Sequence, residues 1–149
     1  MDEALDIIRT KSQNDYAWTV ILRYQVFSIE QGFDPKFDID EREDESIYYL
    51  ALYDGKPVGT ARYRMVNGQA KIEAMVVLKE YRKKGIATKL LSTIHRDLHE
   101  NGITDIYLNA MTQADPFYIK LGYVREGKMF KTPAGAPHYK MVLCFPDNH

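Results

Sequence analysis

Apolar positions along the chain change period several times, and the changes divide it into nine predicted elements. Ala4 to Lys11, with Leu5, Ile7 and Ile8, is expected to form a first strand. Ser12 or Asn14 then caps a helix running to about Gln31. Its apolar residues form two stripes, Ala17, Val20, Ile21, Tyr24 and Trp18, Leu22, Val26, Ile29, which predicts burial on more than one side. The segment from Gly32 to Glu45 is too polar and proline-broken for an ordinary strand. Three strands follow at Ile47–Tyr53, Pro57–Val66 and Gln69–Leu78. Asp54-Gly55 and Asn67-Gly68 separate them and supply the positive φ angles of tight hairpins.

After Leu78 the period lengthens. Ala87, Leu90, Leu91, Ile94 and Leu98 recur at helical spacing, and Asn101-Gly102 ends that helix. A strand over Ile103–Ala110, a short helix from Asp115-Pro116 to Gly122 and a last strand over Tyr139–Phe145 complete the order β-α-β-β-β-α-β-α-β. The predicted fold is α/β (α+β): a mixed, mostly antiparallel sheet flanked by helices, with residues 1–149 as a single domain.

Composition narrows the setting. The chain has 149 residues, 45% of them hydrophobic, enough for a core and too many for a disordered chain. No apolar run approaches the roughly 18 residues of a membrane span, and Met1-Asp2-Glu3 lacks signal-peptide character. Cys144, the only cysteine, has no internal partner and suits a reducing cytoplasm. It is expected to be buried and not to be a nucleophile. His95 and His99 lie four apart but lack further ligands; they are expected on a solvated helix face, with no metal site.

The net charge of −1 conceals two opposed halves. Residues 1–55 hold thirteen acids and five bases, and the remainder holds eight acids and fifteen bases. This balance argues against a nucleic-acid binder. It suggests an anion site around Lys79–Lys84 and a cation-attracting rim over Asp34–Glu45, next to Glu30. Arg62 and Arg64 share one side of their strand and would suit an anionic group on a substrate.

The chemistry concentrates in Tyr81-Arg82-Lys83-Lys84-Gly85-Ile86-Ala87-Thr88, where a strand feeds a basic turn that opens a helix. The first N–H groups of a helix have no intrahelical acceptor and favour an anion. Phosphate or pyrophosphate is the natural guest. Neither G-x-x-x-x-G-K-[ST] nor G-x-G-x-x-G after a strand occurs.

Arg82-x-x-Gly85-x-Ala87 resembles the Q/R-x-x-G-x-G/A signature of the GNAT superfamily of acyl-CoA-dependent N-acetyltransferases. Ile72–Arg82 resembles the strand leading into it, and Phe117-Tyr118-x-x-Leu121-Gly122-Tyr123 the later F-Y-x-x-x-G-F segment. Lys83 stands where glycine often follows the signature arginine, and Ala87 replaces a commoner glycine. Arg23-Tyr24-Gln25-Val26-Phe27-x-x-Glu30-Gln31-Gly32, Gly59-Thr60-Ala61-Arg62 and Pro137-His138-Tyr139-Lys140-Met141 resemble the small bacterial ElaA branch.

The resemblance implies acetyl-CoA as acyl donor and an amine as acceptor. It implies that the backbone of Met75, Val76 and Val77 binds the pantetheine arm and that Arg82, Lys83, Lys84, Gly85, Ile86, Ala87 and Thr88 hold the pyrophosphate. Asn109 would reach the cofactor from the other side, and Tyr118 would stand beside its sulfur. Glu73 is a candidate base, provided that burial or a bridging water assists it, and His138 is a second. Glu30, Arg62 and His138 are the substrate-side candidates. A non-catalytic acetyl-CoA sensor of the same fold is the alternative, and the eleven tyrosines leave a homodimer open.

Overall fold

The computed structural model describes residues 4–144, and only the backbone of Phe37 and Cys144. Eight strands form one sheet: β1 (Leu5–Arg9), β2 (Ile47–Tyr53), β3 (Lys56–Val66), β4 (Gln69–Val77), β5 (Asp105–Met111), β6 (Val124–Arg125), β7 (Phe130–Lys131) and β8 (Pro137–Cys144). The order across the sheet is β1-β2-β3-β4-β5-β8-β6, with β7 also on β8. Every pairing is antiparallel except β4 with β5. The helices are α1 (Gln13–Arg23), α2 (Ile86–Glu100) and α3 (Asp115–Lys120).

The hairpin turns are as expected. Asp54 and Asn67 take φ of 52° and 50° ahead of their glycines, the left-handed pair that two-residue loops require. The helix α2 buries Leu90, Leu91, Ile94 and Leu98 against Tyr49, Val58, Ala61 and Ile72 of the sheet. Truncating Leu90 to alanine in that core would cost about 2–5 kcal/mol.

On the opposite face, Leu22 and Val26 pack on Leu50 and Val76. Ser12 caps α1 by accepting from the Asp15 N–H. Beyond Arg23 the helix continues as a π-helical segment over Tyr24–Glu30. Only one side of this long element is buried. Trp18, Ile21, Tyr24 and Ile29 are exposed, so the expectation of burial on several sides fails: nothing among the described residues covers the outer stripe.

Two strands escaped sequence reading. β6 and β7 have two residues each and are defined by pairing with β8 rather than by a hydrophobic pattern of their own. Asp115 opens α3 from within its first turn, and Ala114 occupies the cap. The Cys144 side chain lies outside the described residues.

Candidate functional site

The site arises where two parallel strands part. β4 and β5 pair only over Ala70–Ile72 and Ile106–Leu108, although both run on for several residues. A bulge bends β4 away: its register on β3 shifts between Arg62↔Glu73 and Thr60↔Val76, and Ala74 takes φ of 55°. The extra residue resets the alternation, so that Glu73 and Val76 share the α1 face while Ile72 and Val77 join the α2 core. Between the strands opens a cavity of about 920 Å³. Leu78 donates its N–H to Val58 on β3, so alternation turns the polar backbone of Val77 toward the gap.

One end of the gap is the basic turn. Lys83 and Gly85 take φ of 64° and 80°, and α2 starts directly after Gly85. A Cβ on Gly85 would meet nothing within 4 Å, so the turn presents open space over the unpaired N–H groups of the helix start. The three basic side chains diverge. Lys84 Nζ sits 5.7 Å from the centre of the Tyr53 ring, and Lys83 is exposed. Arg82 donates from Nε to the Val77 carbonyl (3.0 Å) and from both terminal nitrogens to Glu30 (2.6 Å each).

The walls carry the other chemistry. Tyr118 of α3 lines the cavity; it is 9% exposed and packs edge-on against Phe117 and Tyr123. Burial pushes its phenol up to about 12, so it remains a proton donor at neutral pH. Across the gap, Asn109 and Met111 of β5 and His138 of β8 line the cavity on the α1 face. His138 donates from Nδ1 to the Ala136 carbonyl (2.8 Å), which assigns Nε2 as its acceptor nitrogen. The Phe130 ring stacks on the imidazole at 6.0 Å. Phe27 and Gln31, from the π-helical segment and the residue after it, close the α1 side.

This geometry coincides with a family model. The acetyltransferase (GNAT) family model matches residues 14–123. The chain belongs to the GNAT family. It is an acyl-CoA-dependent N-acyltransferase. It is similar to the uncharacterized N-acetyltransferase YjcF of Bacillus subtilis (strain 168), 41% identical over 123 residues that cover 81% of this chain and 86% of YjcF. The fold also resembles the crystal structure of a putative N-acetyltransferase from Lactobacillus plantarum (TM-score 0.87, 24% identity, 95% and 98% of the two chains). Escherichia coli ElaA gives a TM-score of 0.79 at 21% identity, over 95% and 99% of the chains.

Within this GNAT fold three predicted roles need correction. Glu73 does line the cavity, but both carboxylate oxygens are taken. Oε1 accepts from Arg62 (3.1 Å) and Arg64 (2.9 Å), and Oε2 lies 3.0 Å from Lys71 Nζ. Burial alone would raise its pKa; the charges of Lys71 and Arg62 with hydrogen bonds from Arg64 and Lys71 instead lower it. That makes Glu73 a poor base. Arg62 is 3% exposed and bonded to Asp40 (2.7 Å), Glu43 (2.9 Å) and Tyr48 (3.0 Å), so no face remains for a substrate anion. Glu30 is committed to Arg82, and does not stand free as part of a cation-attracting rim.

The acidic segment is likewise drawn inward. Glu43 accepts from Tyr16, Tyr48, Arg23 and Arg62. Arg23, Arg62, Arg64 and Lys71 face Asp40, Glu43, Glu45 and Glu73, four charges of each sign, and exposed Arg42 adds an outer contact to Glu45. His95 is also not on a solvated face: its Nε2 meets the Tyr123 hydroxyl at 2.6 Å, and burial lowers its pKa to about 4. Phe27, Met111 and Phe130 were not foreseen as site residues. Phe27 lies within the Arg23–Gly32 stretch quoted for its ElaA resemblance, which was the available signal.

Proposed function

We propose that the chain transfers the acetyl group of acetyl-CoA to a primary amine by direct attack in a ternary complex. The observation carrying this reading is the β4–β5 gap, which joins the open Gly85 turn to facing walls that bear Tyr118 and His138. Bound acetyl-CoA supplies an activated thioester. The Val77 backbone edge and the N–H groups from Lys83 to Thr88 suit its pantetheine and pyrophosphate, with Asn109 on the facing strand. The amine nitrogen bonds to the thioester carbonyl carbon, the carbon–sulfur bond breaks, and the products are an amide and CoA thiol.

Two protons must be managed. A lysine-like amine with pKa near 10.4 is only about 0.1% neutral near pH 7.4, a cost of about 4 kcal/mol. His138 Nε2, directly or through water, takes the proton that the nitrogen loses. At the sulfur, a thiol has pKa near 8.5, so full transfer from a phenol at about 12 is uphill by about 5 kcal/mol. Tyr118 therefore stabilises the departing thiolate chiefly as a hydrogen-bond donor, and the thiolate draws its final proton from water. No enzyme nucleophile is needed, and a reducing cytoplasm suits the single cysteine.

Thermal unfolding with acetyl-CoA at about 100 times its dissociation constant tests the first half: native-state binding should add about 2.7 kcal/mol. CoA release with a panel of amines tests the second. A folded protein with no shift would overturn the proposal.

A further inference from the structure

Resting on that transfer reading, we infer that the acceptor is a primary amine on an uncharged, apolar body, without a second ammonium or a carboxylate near the reacting nitrogen. The cavity has two chemically different ends. The cofactor end holds the basic turn. The α1-side end is walled by Phe27 and Met111, by the neutral amides of Gln31 and Asn109, and by His138 backed by the Phe130 ring. Among the described residues its one lining carboxylate is Glu73, whose two oxygens are occupied by three cations.

A polyamine gains affinity by placing a second ammonium against a free carboxylate, and an amino acid by placing its carboxylate against a free guanidinium. Neither partner is on offer among the described residues of this end. Arg62 is buried among Asp40, Glu43 and Glu73, so its guanidinium is already met by three carboxylates. A second charge on the acceptor would lose water and meet only apolar and neutral side chains, which is costly without an opposite charge to pair with. An aliphatic or aromatic body would bury its surface against Phe27 and Met111. The same chemistry occurs in an arylalkylamine and in a peptide N-terminus whose first residues are apolar.

The test compares kcat/KM with acetyl-CoA for four acceptors: 2-phenylethylamine, phenylalanine, putrescine and an uncharged peptide amide beginning Met-Leu. The expected result is at least tenfold preference for 2-phenylethylamine or the peptide over both phenylalanine and putrescine; which of the two leads identifies the source. Putrescine or phenylalanine matching them would overturn the inference while leaving the transferase reading intact. CoA release with none of the four, in a protein that binds acetyl-CoA, would overturn the transferase reading and this inference with it. Lys71→Met supplies a second test, because it frees Glu73 Oε2. Its putrescine-to-phenylethylamine ratio should rise severalfold, with Lys71→Gln as a second variant if the first is poorly folded. An unchanged ratio in a folded variant would show that the neutralised carboxylate does not set the preference.

Discussion

Glu30 and Arg82, fifty-two positions apart, meet in a two-pronged ion pair with both N···O distances at 2.6 Å. The third arm of the guanidinium holds the Val77 carbonyl. Arg82 thus ties three pieces together: the end of β4, the basic turn and the π-helical segment. The signature arginine braces the basic turn, with all three guanidinium nitrogens engaged by Val77 and Glu30. Both side chains are about one-third exposed, so the pair contributes at most about 1 kcal/mol to stability. Glu30→Gln should therefore leave the unfolding midpoint nearly unchanged while raising KM for acetyl-CoA severalfold. Steady-state kinetics with each substrate varied separately decide the matter; a change confined to acceptor KM would return Glu30 to a substrate role.

Tyr118 and His138 should separate kinetically. Tyr118→Phe keeps the ring packing against Phe117 and Tyr123 and removes only the hydroxyl. A fall in kcat of about tenfold or more is expected, with acetyl-CoA binding unaltered by calorimetry. With its phenol near 12, Tyr118 should add no break to the pH–rate profile below about pH 11. The loss of kcat/KM in His138→Gln should shrink with acceptors of low amine pKa, which need less proton removal before attack, whereas Glu73→Gln should leave kcat/KM near that of the parent. Glu73→Gln should instead lower the melting temperature, because it leaves Arg62, Arg64 and Lys71 facing a neutral partner.

The contrast between Glu73 and the Gly85 turn shows what a sequence can display. A turn is local: Asn67-Gly68, Asp54-Gly55 and Arg82–Ala87 carry their backbone demands in adjacent residues, and the structure realises them. The apolar stripe of α2 is equally local, and Leu90, Leu91, Ile94 and Leu98 are all buried. Whether a carboxylate is free or already satisfied depends on partners brought in from afar. Arg62 is eleven residues from Glu73 and Arg82 fifty-two from Glu30. The outward stripe of α1 failed for a related reason, since periodicity reveals an apolar face but not whether another layer will cover it. The bulge at Ala74 also left no mark, because an alanine in the left-handed region is imposed by the splitting strands and not by its own preference.

Lys83 and Gly85 make a paired prediction about backbone strain. Both sit in the left-handed region, where a side chain costs roughly 1–2 kcal/mol. Lys83 already bears that strain, so Lys83→Gly should hold or raise stability by up to about 1 kcal/mol. Gly85→Ala should lower stability by about 1–2 kcal/mol without a clash, since its Cβ would enter open space. That same space lies over the helix start, so acetyl-CoA affinity should fall further than stability does. Urea midpoints and calorimetric titrations of both variants give the comparison; equal affinities for Gly85→Ala and the parent would place the phosphates elsewhere.

His95 gives a pH dependence with a definite sign. Its imidazole is held neutral, with a native pKa of about 4 against about 6.5 in an unfolded chain. Between those values the unfolded state binds the extra proton, so stability rises with pH across the window and is lost as pH falls from 6.5 toward 4. The full effect is on the order of 3 kcal/mol. Glu43 and Glu73 are shifted downward, so their stabilisation is fully present above the usual carboxylate range and lost only below it. The two contributions occupy different pH ranges. A His95→Gln variant should unfold at nearly the same temperature at pH 6.5 and pH 5, while the parent loses several degrees over that interval. Parallel losses in the two proteins would mean that the proton is taken up elsewhere and that the His95–Tyr123 contact does not govern the acid response.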